Sequence, residues 1–290
     1  MFRNKKVQIS ALLAAILVAA GLLALQRAQP SRAGQDRDTP GGLTGRVQAA
    51  GSPIAGSTVT LYLAGDGKPT QLAQGMSGED GAFTLDVGAD KLNGAADKVL
   101  YLVAHGGTPK GTADKGANDA IALLTVLGSE RPKTVTVNEF TTIASVWTGA
   151  QFLEGEVLSG PQLGLRIAAG NVPNFVDLST GGYGTTIQDA LNSGQTPTMA
   201  NFATLANLLA GAVTQVQPDA ANQFLTAATP RSGKAPADTL TALEGVARDS
   251  GYKPQRLFEL LGTFYPVPKG KNLRPTPFMP YLTWAPSAWV

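Results

Sequence analysis

Four carboxylates between residues 139 and 177 are the side chains best suited to catalysis. Glu139, Glu154, Glu156 and Asp177 lie among aromatic residues in a segment of helical periodicity. Two carboxyl groups held about 5–10 Å apart can hydrolyse a glycosidic bond, one as acid and the other as base or nucleophile. The sequence does not show which of these four side chains lie close together in space. Acidic side chains on helix surfaces usually contact only water. Glycan hydrolysis is therefore an alternative hypothesis, with these four residues as its candidate site.

The segment VNEFTTIASVW (137–147) contains a polar cluster that suits either a catalytic patch or a helix cap. The β-type alternation ends at Val137, and apolar residues then recur at helical spacing. Asn138 suits an N-cap, Thr141 stands at its N3 position, and Glu139 in the first turn suits the helix dipole. We interpret Asn138 and Thr141 as the cap of a rigid junction, which predicts that two domains keep a fixed mutual orientation.

The other residues that could do chemistry argue against a metal or an activated nucleophile. The chain has one histidine, His105, and no cysteine, whereas zinc needs several such ligands. We interpret His105 as an exposed residue at a strand end. No Gly-x-Ser-x-Gly motif is present, and the Gly-rich stretch 179–186 lacks the lysine of a phosphate-binding loop. Asp66, Glu79, Asp80 and Asp114 lie in predicted loops that could bind calcium, but Asp66 and Asp80 belong to Asp-Gly turns, which we prefer as the explanation. We predict no catalytic residue, metal site or cofactor, and interpret the protein as not an enzyme.

The first 33 residues have the pattern of an export signal. MFRNKK precedes an uncharged apolar run at residues 9–25, and Ser31 and Ala33 occupy positions that a signal peptidase prefers. The run is long for a signal peptide and slightly short for a membrane span. Two outcomes stay open: cleavage after about Ala33, or an uncleaved anchor in the inner membrane. In both cases we expect the body to be periplasmic or extracellular.

Charge and composition limit the classes of binding partner that we expect. The chain carries a net charge of +2, but its first 33 residues hold basic and no acidic side chains, which leaves the remainder weakly acidic. A weakly acidic body is a poor partner for nucleic acid. The lack of cysteine excludes disulfides. We expect the membrane as a partner if the N-terminal segment is uncleaved, a cell-surface glycan or protein, and no nucleic acid.

Hydropathy patterns divide the rest of the chain into four segments. Residues 34–42 are a polar linker. Residues 43–138 carry about seven short β-type runs, alternating at 57–65 and 81–87 and continuously apolar at 98–107, which predict an Ig-like antiparallel β-sandwich. Residues 139–264 change to helical periodicity and predict an all-α domain. Residues 265–290 are rich in proline and aromatics, and we expect them to lie extended on the helices. The predicted fold class is α+β in two domains, preceded by one N-terminal hydrophobic helix.

Two helix starts are predicted from local signals within the helical segment. Thr196 precedes Pro197 and is the expected N-cap of a long helix. Pro236 is the expected first residue of a later helix that ends near residue 249.

The β-type segment resembles a known family at three motifs. GLTGRV, SPIAGSTVTLYLAG and SGEDGAFTLDV look like the opening, the second strand and the hairpin of the carboxypeptidase regulatory-like (transthyretin-like) β-sandwich family. The resemblance covers roughly residues 42–138. It implies a non-catalytic accessory module.

Most of the remaining chain is similar to a region of exported bacterial proteins of unassigned function. The matching motifs include GLRIAAGNVPNFVDLSTGGYG, NFATLANLLAGAV and PFMPYLTWAPSAW. Such relatives often carry cysteines near the positions of Ala212 and Ala220, and often continue into a β-propeller after APSAW. This resemblance implies an envelope location and no particular chemistry.

We therefore expect a non-catalytic cell-envelope protein that acts in structure, adhesion or ligand presentation. The alternatives are a carbohydrate- or peptidoglycan-binding or hydrolysing protein that uses carboxylates of the helical domain, and a truncated relative of propeller-containing surface proteins.

Overall fold

The structure, a computed structural model, describes residues 42–266 except for positions 94, 96, 112–114 and 129–131. The predicted leader with its hydrophobic helix, most of the linker, Asp114 and the tail from residue 267 onward lie outside these residues. Within the described part, no helix combines the length and the apolar character needed to cross a bilayer.

Nine strands lie within the described part of residues 42–137. Their bounds are β1 Gly42–Ala49, β2 Ser52–Ala55, β3 Thr58–Leu63, β4 Thr70–Met76, β5 Ala82–Asp86, β6 Leu100–His105, β7 Thr108–Pro109, β8 Ala122–Leu127 and β9 Thr134–Val137. One sheet has the order β5-β1-β2-β7, with β9 also paired to β1, and the second has the order β4-β3-β6-β8. We call these strands together the β region.

The alternation in the sequence explains how the two sheets share a core. Val59 and Leu61 of β3, and Phe83 and Leu85 of β5, are almost fully buried at every second position. The two sheets touch closely, because a β-carbon at Gly75 of β4 would lie 3.0 Å from Leu85 Cδ2. Burial of these apolar faces is the main driving force that holds the sheets together.

The Asp80-Gly81 turn that connects β4 to β5 is confirmed. Gly81 has a φ of +74°, and a β-carbon there would lie 2.4 Å from Val47 O. Asp80 Oδ1 accepts the N–H of Ala82 at 3.0 Å. Glycine is therefore required both by backbone conformation and by close packing.

β9 departs from the predicted antiparallel sandwich. It runs parallel to β1, with Thr44 opposite Thr134 and Val47 opposite Val137. The chain reaches β9 from β8, which belongs to the other sheet, so it crosses between layers and can enter in the direction of β1. The prediction of a purely antiparallel sandwich is wrong at this pair.

Helices dominate residues 139–266, which we call the helical region. One short helix, α1 Ala89–Asn93, lies outside it, between β5 and β6. The helices of the helical region are α2 Glu139–Gly149, α3 Gln162–Asn171, α4 Thr185–Gln188, α5 Thr198–Val213, α6 Ala220–Ala227, α7 Thr239–Arg248 and α8 Pro254–Phe264. A hairpin of β10 Leu153–Glu154 and β11 Val157–Leu158 lies between α2 and α3. Antiparallel sheets combined with helices give the predicted α+β class. All described residues belong to one compact unit.

Two predicted helix starts are wrong. α5 has Pro197, not Thr196, as its N-cap, because a π-helical turn ends immediately before Thr196. α7 has Asp238 as its N-cap, two residues after Pro236. Asp238 and Thr241 form a capping box, and those reciprocal hydrogen bonds satisfy two helix N–H groups where proline would satisfy none.

Candidate functional site

The predicted cap at Asn138 is present at the start of α2. Asn138 Oδ1 accepts the N–H of Thr141 at 3.0 Å, and Thr141 Oγ1 accepts the N–H of Asn138 at 2.9 Å. Asn138 Nδ2 donates to Gly181 O at 2.9 Å, and Thr125 Oγ1 of β8 donates to Thr141 Oγ1 at 2.8 Å. The cap residues therefore tie α2 to β8 and to the loop after α3.

Three hydroxyl side chains take the place of a neighbouring strand along the outer edge of β8. Alternate N–H groups of β8 donate to them, because such groups point to the same side of a strand. The pairs are Ala122 with Thr239 Oγ1 at 3.0 Å, Leu124 with Thr142 Oγ1 at 3.1 Å and Val126 with Ser145 Oγ at 2.8 Å. All three hydroxyl residues are fully buried. We call Thr142, Ser145 and Thr239 the hydroxyl seam.

Two members of the hydroxyl seam also donate hydrogen bonds. Thr239 Oγ1 donates to Ala122 O at 2.7 Å, and Thr142 Oγ1 donates to Asn138 O at 2.6 Å. Thr142 and Ser145 belong to α2 and Thr239 belongs to α7, so both helices contact the same edge of β8. Because a buried backbone group without a partner is costly, the seam fixes both helices against the sheet.

Glu139 lies buried beside this seam at the first turn of α2. Its side chain is 4% exposed, and Oε1 accepts the N–H of Ala50, in the turn between β1 and β2, at 3.1 Å. Oε2 has no hydrogen-bond partner among the described residues. Burial raises the pKa of Glu139 to about 7, opposed in part by the hydrogen bonds to its own N–H and that of Ala50. The site therefore favours the neutral carboxyl.

Glu156 pairs with the chain's one histidine. His105 Nε2 lies 2.6 Å from Glu156 Oε1, and the contact is an ion pair when His105 is protonated. The two side chains are 35% and 42% exposed. Contact with Glu156 raises the pKa of His105 against the opposing effect of burial, and contact with His105 lowers the pKa of Glu156. His105 ends β6, as predicted, but it is half-buried and contacts Glu156 rather than being fully exposed.

Tyr101 of the same sheet also contacts the hairpin, and Tyr62 packs on Tyr101. Tyr101 Oη donates to Glu156 O at 2.9 Å, and Leu158 N donates to Tyr101 Oη at 3.4 Å. Tyr62 stacks on Tyr101 with ring centroids 5.2 Å apart. Burial raises the pKa of both phenols, so they act here as neutral packing and hydrogen-bonding groups.

Glu154 lies on the other side of the hairpin, at an open groove of about 660 Å³. The groove runs between the hairpin, the loop before α7 and α7 itself. Its charged lining residues are Glu154, Glu244, Asp249, Arg231, Lys234 and Arg248. Two ion pairs of 3.0 Å, Arg231 with Asp249 and Arg248 with Glu244, use four of these groups. Glu154 and Lys234 have no ion pair within the described residues.

α7 also holds the hairpin. Glu244 Oε2 accepts the N–H of Gly155 at 2.7 Å. Arg248 donates to Ala150 O at 3.3 Å and also to Leu153 O. The hairpin is therefore fastened on one side to β6 and on the other to α7.

Asp177 stabilises its own turn. Asp177 Oδ1 accepts from Ser179 Oγ at 2.6 Å, from Ser179 N at 2.8 Å and from Thr180 N at 3.2 Å. The Ser179 hydroxyl is the first of several donors that lower the pKa of Asp177. In the same Gly-rich stretch, Gly181 has a φ of +70°, and a β-carbon there would lie 2.5 Å from Asn138 Nδ2. Close packing against the α2 cap explains that glycine.

The four candidate carboxylates therefore have separate surroundings. Glu139 contacts Ala50 in the interior, Asp177 caps a turn, and Glu154 and Glu156 face different sides of one hairpin. For the three with a shifted pKa, no cause of the shift is another of the four. Among the described residues, no group of three or more acidic or histidine side chains could hold a metal ion. The carboxylate-pair hypothesis gains no support from this arrangement.

The sequence interpretation missed the hydroxyl seam and the His105–Glu156 pair. Thr142 and Ser145 stand three residues apart within a buried helix face, and hydroxyls in an apolar stripe are a usable signal for such contacts. His105 and Glu156 are far apart in sequence and carry no local signal of their pairing.

The comparisons with known proteins add little. No protein-family profile matches the chain, and no curated protein matches it. Among solved structures, a 9R-lipoxygenase from Cyanothece PCC8801 shows 12% identity and a TM-score of 0.24 over 63% of this chain. The chain spans 26% of the length of that lipoxygenase. A likeness this slight carries no argument about fold or activity.

Proposed function

We propose that the protein is an exported cell-envelope protein that acts in structure, adhesion or ligand presentation rather than catalysis. In this proposal an Ig-like sandwich (43–138) and a helical domain (139–264) work as one rigid body. The N-terminal segment is either cleaved after about Ala33 or kept as an anchor through residues 9–25. The hydroxyl seam is the observation that carries the proposal.

The seam supports a rigid scaffold because its hydroxyl groups form hydrogen bonds within the fold. A catalytic site would need such groups free to contact a substrate. Thr142 and Thr239 each accept one backbone hydrogen bond and donate another within the fold. Asn138 and Thr141 are similarly engaged in the cap of α2. A body joined in this way presents its surfaces at fixed distances and angles, which suits adhesion or presentation.

Cell fractionation followed by N-terminal sequencing tests the location. A soluble exported protein that starts at Gly34 would support the cleaved form. A membrane-bound chain with an intact N-terminus would support the anchored form. Recovery of the intact chain from the cytoplasm would contradict both forms and the proposed function with them.

Binding of a glycan or of peptidoglycan is the second candidate, and the open groove favours it. Glu154 and Lys234, without ion pairs in the described residues, could hold a ligand that carries both charges. Pull-down with purified peptidoglycan should then weaken in Glu154→Gln and Lys234→Gln. Lys68→Gln, at an exposed loop position that is not part of the groove lining, is the matched control and should bind as the wild type does. Equal retention of all variants would contradict binding in the groove.

A further inference from the structure

The outer face of α3 carries an uncovered apolar pair. Leu163 and Ile167 are 70% and 60% exposed, and their spacing of four residues places them side by side on one helix face. Exposed Arg166 and Lys98 stand beside them, and all four residues line a cavity of about 290 Å³. We call these four residues the α3 patch. Adjacent exposed aliphatic side chains rimmed by polar groups mark an interaction surface.

The charge at the α3 patch favours an anionic partner. Neither Lys98 nor Arg166 makes an ion pair within the described residues, and Asp97 is the one acidic residue in the described lining of the cavity. At a bilayer surface, aliphatic side chains enter the acyl boundary while lysine and arginine reach the phosphates. The composition of the patch matches this interfacial chemistry.

The position of the α3 patch is a second, independent reason to expect contact with a bilayer surface. Gly42, the first residue of β1, pairs with Asp86, the last residue of β5, and therefore marks one end of the β region. Residues 97–99 of the cavity lining belong to the connection from β5 to β6 and directly precede β6. Gly160, just before α3, donates its N–H to Gly65 O after β3 at 3.0 Å. The patch thus lies at the end where the chain enters the β region, which we call the Gly42 end.

We propose that the α3 patch contacts the phospholipid surface of the membrane that holds residues 9–25. This inference rests on the anchored form of the proposed function. The 16 residues 26–41 span at most about 55 Å even when fully extended, which sets an upper limit on the distance of Gly42 from a bilayer that holds residues 9–25. Because a tether raises the local concentration, two aliphatic and two basic residues are enough for a contact that would be weak in free solution.

Single-cysteine labelling of the full chain tests the proposal, since the native chain has no cysteine. Leu163→Cys and Ile167→Cys would each carry a fluorophore in vesicles of phosphatidylcholine and phosphatidylglycerol that contain a nitroxide-labelled lipid. Met76→Cys is the matched control, because Met76 is 67% exposed and ends β4, at the opposite end of the β region. We expect loss of most fluorescence at positions 163 and 167 and little loss at position 76.

Charge removal sharpens the test. In the labelled Leu163→Cys chain, Lys98→Gln and Arg166→Gln should each weaken the contact about fivefold in vesicles with phosphatidylglycerol. The same substitutions should weaken the contact much less in vesicles of phosphatidylcholine alone. Thermal melting of each variant checks that it remains folded.

The outcomes separate this inference from the anchoring on which it rests. Retention of the chain after alkaline carbonate washing reports the anchor. A chain that washes off would refute the anchored form and the lipid contact together. A retained chain with equal quenching at positions 163 and 76 would refute the lipid contact alone. A label at position 163 that is shielded in cells but unquenched in vesicles would also refute it, and would indicate a protein partner instead.

Discussion

The second sheet has two different edges. Along β8, three buried hydroxyls from α2 and α7 accept alternate backbone N–H groups. Along β4, no further strand pairs within the described residues, and the strand is mostly exposed. β4 also carries an irregularity, because Ala73 pairs with Leu61 and Gln71 with Tyr62, which leaves Leu72 without a partner on β3.

The difference shows how the helices join the sheet. An open edge can satisfy its backbone groups with water, whereas β8 is buried and cannot. The helical region supplies threonine and serine where a further strand would supply carbonyl groups. The seam is therefore part of the hydrogen bonding of the sheet as well as of helix packing, and stability should depend on it far more than on the β4 edge.

The largest expected effect comes from the same substitution at the two edges. Thr239→Val keeps the side-chain shape but leaves both the N–H and the C=O of Ala122 without their hydroxyl partner, and should cost about 2–3 kcal/mol. Thr70→Val on exposed β4 should change stability by less than about 0.5 kcal/mol. Urea unfolding followed by circular dichroism measures both. Equal losses would show that the two edges do not differ in the way we describe.

A smaller, pH-dependent effect is expected at Glu139. Its folded-state pKa of about 7 lies above the ordinary value of 4.5, so the folded state holds the proton more tightly than the unfolded state. Wild-type stability should therefore fall as the pH rises from about 4.5 through about 7. Glu139→Gln should remove much of this slope and be more stable than the wild type at pH 8 by about 1–2 kcal/mol.

Unfolding at a series of pH values measures that slope. Glu154→Gln is the control, because Glu154 is exposed, and its stability profile should follow that of the wild type. Parallel profiles for wild type and Glu139→Gln would contradict a buried, neutral Glu139.

The smallest effect is expected at the His105–Glu156 pair, which is more than one-third solvent-exposed at both partners. Solvent screening limits the contribution of such a pair to about 0.5 kcal/mol. The raised pKa of His105 means that its share is lost as the pH rises through that pKa, above 6.5. The lowered pKa of Glu156 means that the other share is lost as the pH falls through a value below 4.5.

His105→Gln should therefore be less stable than the wild type mainly at pH values between the pKa of Glu156 and the pKa of His105. Outside that pH range the two proteins should differ little in stability. NMR titration of the His105 ring in the wild type and in Glu156→Gln gives a direct measurement. An unchanged His105 pKa in Glu156→Gln would contradict the pairing.

Local signals predicted much of the fold. Period-2 runs located β3 and β5, largely apolar runs located β6 and β8, and the change of period after Val137 located the start of α2 with Asn138 as its cap. These features depend on neighbouring residues, which is why one sequence suffices. The parallel β1–β9 pair was missed because its direction depends on a crossover between sheets that no local pattern encodes.

The candidate site was less predictable. Glu139 looked like a favourable first-turn acid, but its burial under Ala50 depends on how the β1–β2 turn packs on α2. Thr239 drew no prediction from the sequence, yet its hydroxyl accepts a backbone N–H of a strand more than one hundred residues earlier in the chain. These contacts between distant residues depend on tertiary packing, so the spacing of residues along the sequence does not predict them.

Hydrogen exchange at the two edges tests the hydroxyl seam most directly. We predict that the amides of Ala122, Leu124 and Val126 exchange as slowly as the most protected core amides, through global unfolding. In Thr142→Val, Leu124 should lose protection more than Ala122 does, while Thr70→Val leaves all three unchanged. Fast exchange of these three amides in the wild type, at rates like those of the outer β4 amides, would contradict the account.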